Sequence, residues 1–115
     1  MKIEKLKLNR EIIIPEYKKF NSSFSKTMEK LDFNRKMSIT NEMIATQRAR
    51  SELAPYIDST DYSSILVDFS KYFHLIKANQ NTDSLKVEQK DSIVDMYLNV
   101  EHKVRKAISK NINEE

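Results

Sequence analysis

The chain has no glycine in its 115 residues. At an average frequency of roughly 7% a domain of this length would carry several. Whatever this sequence folds into must therefore do without turns that need φ > 0 and without backbone brought close to an anion. Phosphate-cradling loops, dinucleotide-binding loops and the strained elbow of serine hydrolases all use glycine for those reasons. Cysteine is absent as well, which removes disulfides, thiolate metal sites and thiol nucleophiles. The reading that remains is a non-catalytic helical protein with no cofactor and no small-molecule substrate.

The first 14 residues differ from the rest. Lysines alternate with Leu6 and Leu8, and Ile12, Ile13 and Ile14 precede Pro15, a pattern that predicts a short extended arm over 1–14. Pro15 suits the first turn of a helix, with Glu16 well placed for the dipole. From there Tyr17, Phe20, Phe24, Met28, Leu31, Ile39, Met43, Ala49 and Leu53 follow mostly in steps of three and four or their sums, one apolar stripe with in-phase gaps at Arg35 and Thr46. The spacing predicts a first helical half over 15–54, either one rod of about 40 residues or two collinear pieces bent at Asp32-Phe33-Asn34.

Pro55 opens a turn over 55–60 rich in Asp, Ser and Thr, and Asp58, Thr60 or Asp61 can cap the next helix. The second half, 61–110, carries Tyr62, Ile65, Leu66, Phe69, Phe73 and Ile76 on one side. A polar interruption at 79–84 separates these from Leu85, Ile93, Met96, Val100, Val104 and Ala107. Residues 111–115 read as a frayed tail. The fold class is all-α, a single domain built as a long antiparallel hairpin or small bundle. Such a hairpin closes only one seam. The stripe formed by Tyr17, Phe20, Phe24, Met28, Leu31, Phe69, Phe73, Met96 and Val100 would then serve both as core and as partner-binding surface.

Other chemistry has little to stand on. His74 and His102 are the only histidines, and neither follows a glutamate at metal-binding spacing, so no metal site is expected. Glu88, Asp91 and Asp95 share a helix face and read as a solvated acidic face. The net charge of +3 comes from 20 basic and 17 acidic residues, a small excess on a mixed background. Lys103, Arg105, Lys106 and Lys110, near a helix end, suit the dipole. With Lys2, Lys5, Lys7 and Arg10 they could also form a basic patch for nucleic acid, although Glu4 and Glu11 interrupt the N-terminal group and no recognition-helix turn is present. The longest apolar run at the N-terminus is three isoleucines, too short for a secretory signal core, and no segment is apolar enough to span a membrane. The expectation is a cytoplasmic protein without stable membrane insertion.

Tyr97-Leu98-Asn99-Val100-Glu101 is the one place where an aromatic ring is followed four residues later by an acid. The spacing sets ring and carboxylate side by side on one helical face. In this element and in its general plan the chain resembles the small helical-hairpin partner proteins of type VII secretion, the Trp-X-Gly class and the relatives that accompany LXG toxins. It departs from the central class in having no Trp-X-Gly turn, whose place Pro55–Ser59 occupies. The resemblance implies a targeting partner or chaperone that binds a helical segment of a larger secreted toxin, alone or with a second small helical protein. It also implies that Tyr97 and Glu101 contribute to an export signal, and that the chain leaves the cytoplasm with its partner without a cleavable signal peptide. A homodimer is compatible with the same plan. Two alternatives stay open: a phage- or plasmid-encoded helical regulator that binds and inhibits or recruits a host protein, and a weak nucleic-acid binder.

Overall fold

The computed structural model describes residues 9–33, 39–79 and 87–112, with side chains described for 11–29, 39–79 and 87–110. Among these residues there are four α-helices and no strand: α1 (Ile14–Phe33), α2 (Thr40–Leu53), α3 (Ser59–Asn79) and α4 (Val87–Ile112). The all-α class expected from the sequence is thus observed. No described residue has φ > 0, which is how the chain manages without glycine. α2 leaves through a 3-10 turn at Ala54–Tyr56 that contains Pro55, followed by extended Ile57, whose N–H donates to the Ala54 carbonyl at 3.3 Å. The Asp58 carbonyl then accepts the Tyr62 N–H at 2.8 Å, setting the first turn of α3.

Two expectations are corrected. The extended arm was expected to run to residue 14, but a π-helical turn at Asn9–Ile13 leads directly into α1; residues 1–8 lie outside the described residues. A widened turn makes room for the Pro15 ring, which would clash with the preceding turn of a regular α-helix. Burial of Ile13, 3% exposed, favours carrying the helix back this far despite its β-branch.

The second correction is larger. The first half is neither one rod nor two collinear pieces, because α2 packs back against α1. The proposed bend at 32–34 spans the end of α1 at Phe33 and runs outside the described residues at 34. Folding back places the apolar positions of α1 (Ile13, Phe20, Phe24) against those of α2 (Met43, Ala49, Leu53), all buried. At roughly 1.5–3 kcal/mol for each large side chain removed from water, closure within one chain is strongly favoured over a bare rod. The second half behaves as expected: α3 ends at Asn79, α4 begins at Val87, and the two pack together. The 79–84 interruption falls mostly outside the described residues. The molecule is a pair of helical hairpins, α1–α2 and α3–α4, running up-down-up-down.

One ring joins the hairpins. Phe24 on α1 lies 5.3 Å from Phe20, 5.4 Å from Phe69, 5.0 Å edge-on from Tyr72 and 4.4 Å from Tyr97, measured between centroids. It therefore contacts α3 and α4 together. Phe69 extends the cluster to Phe73 at 4.5 Å, and the Arg50 guanidinium covers the Phe69 ring at 5.2 Å, a cation–π contact that brings α2 into the same centre.

Candidate functional site: the seam and outer face of the second hairpin

The aromatic stripe does not form the partner surface expected of it. Phe20, Phe24 and Val100 are fully enclosed, Phe69 nearly so, and Phe73 is 6% exposed. Tyr17, Met28 and Met96 are half-buried against the same core. Leu31 falls outside the residues whose side chains are described. The physical reason is the extra fold-back: two hairpins close more seams than one, so the rings are covered within a single copy. Sequence reasoning also missed three residues of this centre. Tyr72 is fully buried and lies three residues beyond Phe69, a spacing that could have placed it on the stripe. Its hydroxyl is 2.7 Å from Thr27 Oγ1, which in turn donates to the Phe24 carbonyl at 2.6 Å. With its one hydrogen so committed, Thr27 accepts from Tyr72. Thr46, read as a gap in the stripe, is likewise buried, and its hydroxyl donates to the Glu42 carbonyl at 2.6 Å.

The basic cluster is also reassigned. Lys103, Lys106 and Lys110 do converge, lining a cleft of about 420 Å³ between α3 and α4 together with Asp61, Ser64 and Ala107. Yet two of the three ammonium groups are neutralised from within. Lys103 is ion-paired with Asp68 and donates to Ser64 Oγ at 2.8 Å. Asp68, 7% exposed, also accepts from Asn99 Nδ2 at 2.8 Å. The Lys103 hydrogen bond, its charge and the Asn99 amide hold the Asp68 carboxyl below its ordinary value, against the opposing effect of burial. Lys110 lies 2.9 Å from Asp58 and 3.6 Å from Asp61, and the hydrogen bond to Asp58 is the main cause of its raised pKa. Arg105 stands outside the cleft, 3.8 Å from Glu101 along its own helix. Two of the four residues expected as a basic patch, Lys103 and Lys110, are thus rungs of a ladder of ion pairs that fixes the register of α3 against α4. The N-terminal group proposed to join them, Lys2, Lys5 and Lys7, lies outside the described residues, as does the Arg10 side chain.

Tyr97 and Glu101 do sit side by side on α4. The Tyr97 ring stacks on Phe24 and faces Tyr72 at 5.9 Å, so it is half-buried and structural on one side. Burial, then the nearby Glu101 and Glu29 carboxylates, raise its pKa. Glu101 remains partly open, its side chain 24% exposed.

Next to this pair the surface of α4 is open. Leu98 is 53% exposed and Val67 on α3 is 56% exposed. The register that sets Asp68 against Asn99 places these two at about the same level on the outer face of the hairpin. Further along the hairpin Leu75 and Met96 line a shallow apolar groove, edged by Ser70, Lys71 and His74. Among the described residues no group of three His, Cys, Asp or Glu side chains converges to hold a metal ion, and no helix is long and apolar enough to cross a membrane. Compared with protein-family models, curated proteins and solved structures, the chain matches none.

Proposed function

We propose that this chain is a non-catalytic protein–protein interaction module whose contact surface is the outer face of the α3–α4 hairpin. The observation that carries this reading is the pair Val67 and Leu98, large apolar side chains left in water on neighbouring helices of a bundle that encloses Phe20, Phe24, Phe69, Tyr72 and Phe73. Isolated exposed apolar residues are ordinary. Two on neighbouring helices of one hairpin, with the apolar groove of Leu75 and Met96 further along it, add exposed apolar area of the kind that marks a contact surface.

The more specific form of the reading is a targeting partner of the type VII secretion kind. It would accompany a larger helical toxin, with Tyr97 and Glu101 read by the export machinery. Its support is the half-open Tyr97–Glu101 ridge on α4, where Glu101 keeps its carboxylate partly in water beside the Tyr97 ring.

A photo-crosslinking residue placed at Leu98 or Val67 in the native host tests the first reading. Covalent adducts are expected from both positions and not from Ile44, an exposed apolar residue on α2. Adducts absent, or equally abundant at Ile44, would overturn it. The secretion reading predicts that the chain itself appears in the culture medium of a secreting host and that Glu101→Lys removes it from the medium without lowering its level in cells. Equal amounts of the variant outside the cells would overturn that role. Tyr97→Ala is a poor probe, because losing the stack on Phe24 disturbs the core as well.

A further inference from the structure

We infer that the outer face of α4 receives a second copy of this chain, with the two α4 helices antiparallel about a two-fold axis at Leu98. The inference rests on the interaction-module reading and names its partner. On the face of α4 centred on Leu98, the acids Glu88, Asp91 and Asp95 occupy the first half and the bases Arg105 and Lys106 the second, all of them exposed, while Lys90 and the partly buried Glu101 lie along one flank. Leu98 lies between the two groups.

Such a helix is complementary to itself when turned end for end. Asp91 and Arg105 stand seven residues before and after Leu98, two helical turns in each direction and therefore on the same face. An antiparallel pair centred on Leu98 sets Asp91 of each copy against Arg105 of the other, twice over. It also places Asp95 within reach of the other copy's His102. The parallel arrangement would oppose acid to acid and base to base, which is repulsive at both ends. Arg105 keeps capacity for this role, since its side chain is 56% exposed and its contact with Glu101 is long, 3.8 Å. The apolar centre of the contact is Leu98 on Leu98. A two-fold contact requires one patch that fits itself, and this patch does.

The apolar centre is small and its rim is charged, so the contact belongs to the weak, salt-sensitive class, with a Kd on the order of 10 μM at low salt. Sedimentation equilibrium of the full chain tests it. A monomer–dimer equilibrium is expected at low salt, weakening at about 0.5 M salt as exposed pairs are screened. Asp91→Arg and Arg105→Asp should each weaken dimerisation about tenfold or more, and the double exchange should restore it. Within one helix these residues are about 21 Å apart and cannot compensate each other, so rescue reports a contact between copies. A chain monomeric up to about 1 mM, or a dimer insensitive to either reversal, or a double variant no better than the single ones, would overturn the inference. Crosslinking separates the two levels. Adducts from Leu98 to a different protein, with a monomer in the centrifuge, overturn self-pairing alone. No adduct at Leu98 overturns the interaction-module reading with it.

Discussion

The two hairpins solve the same problem, holding antiparallel helices in register, with different chemistry. Between α1 and α2 the buried residues are chiefly apolar, and at the open end Lys19 meets Glu52 at 3.1 Å with both side chains well exposed. Between α3 and α4 a polar ladder runs along the seam, from Lys110 with Asp58 and Asp61 to Lys103 with Ser64 and Asp68 and on to Asn99. Apolar contact is non-directional and specifies register only through shape, whereas each rung of a charged ladder fits one partner and penalises a slip. The first hairpin thus supplies adhesion and the second supplies alignment. The second is also the hairpin whose outer face is left bare, and a contact surface gains from being held in fixed register.

The largest effect that would break this comparison is at Phe24. Its ring touches both halves of the second hairpin, so Phe24→Ala should cost about 4 kcal/mol and lower Tm by roughly 15 °C in calorimetry. A loss below about 1 kcal/mol would mean that the hairpins do not depend on one another through this ring. The next effect belongs to the ladder. Asp68→Ala leaves the Lys103 ammonium without its main partner and should cost about 2 kcal/mol, read from urea unfolding at neutral pH. The sign of its pH dependence is fixed. Because the folded state lowers the Asp68 pKa beneath 3.8, its contribution is complete above that value and disappears as pH falls through the lower folded value. Wild type should therefore lose stability relative to Asp68→Asn on acidification below about pH 4, where the protonated aspartate no longer outperforms the amide.

How much of this was legible in the sequence follows from which interactions have a period. The α3 and α4 stripes repeat every three or four residues, and Ile65, Phe69, Phe73, Ile76, Ile93, Val100, Val104 and Ala107 are all buried as that period requires. The direction in which α2 runs has no such signal. A stripe continued through Ile39 and Met43 is equally periodic whether the chain goes straight on or turns back, and only the area buried by turning back decides between them. The candidate sites were hidden for a related reason. Lys103 and Lys110 look like dipole-compensating lysines along α4, and their partners Asp68, Asp58 and Asp61 are more than 30 residues away in sequence. Leu98, by contrast, was visible inside the Tyr97–Glu101 element. The pattern shows that it shares a helix with the ring and the acid, but not that it is left exposed beside them.

A third test sharpens the account of the join between hairpins. Tyr72→Phe keeps the ring and removes the hydroxyl that bonds Thr27 across α3 and α1. Thr27 retains its bond to the Phe24 carbonyl, so the loss should be one net buried hydrogen bond, about 1 kcal/mol, with the m-value unchanged. A loss as large as that at Phe24 would mean that the hydroxyl pair, rather than the ring cluster, determines how the hairpins meet.

The smallest effect is expected at the outermost rung. Lys110 has two carboxylates within reach, but its side chain is 55% exposed, and so are 57% of Asp58 and 41% of Asp61. Water competes for each of these charges, and holding a long side chain in place costs rotamer entropy. Lys110→Gln should therefore leave Tm unchanged within error at neutral pH and moderate salt. The hydrogen bond that Lys110 donates to Asp58 raises the Lys110 pKa above 10.5, so what the pair contributes is present below that value and lost as pH rises through the higher folded one. A difference between wild type and variant should appear only at low salt, and should vanish in strongly alkaline solution. A clear Tm loss at neutral pH in moderate salt would show that the ladder aligns α4 to its last turn, and would extend the rigid part of the outer face from Leu98 to the end of the helix.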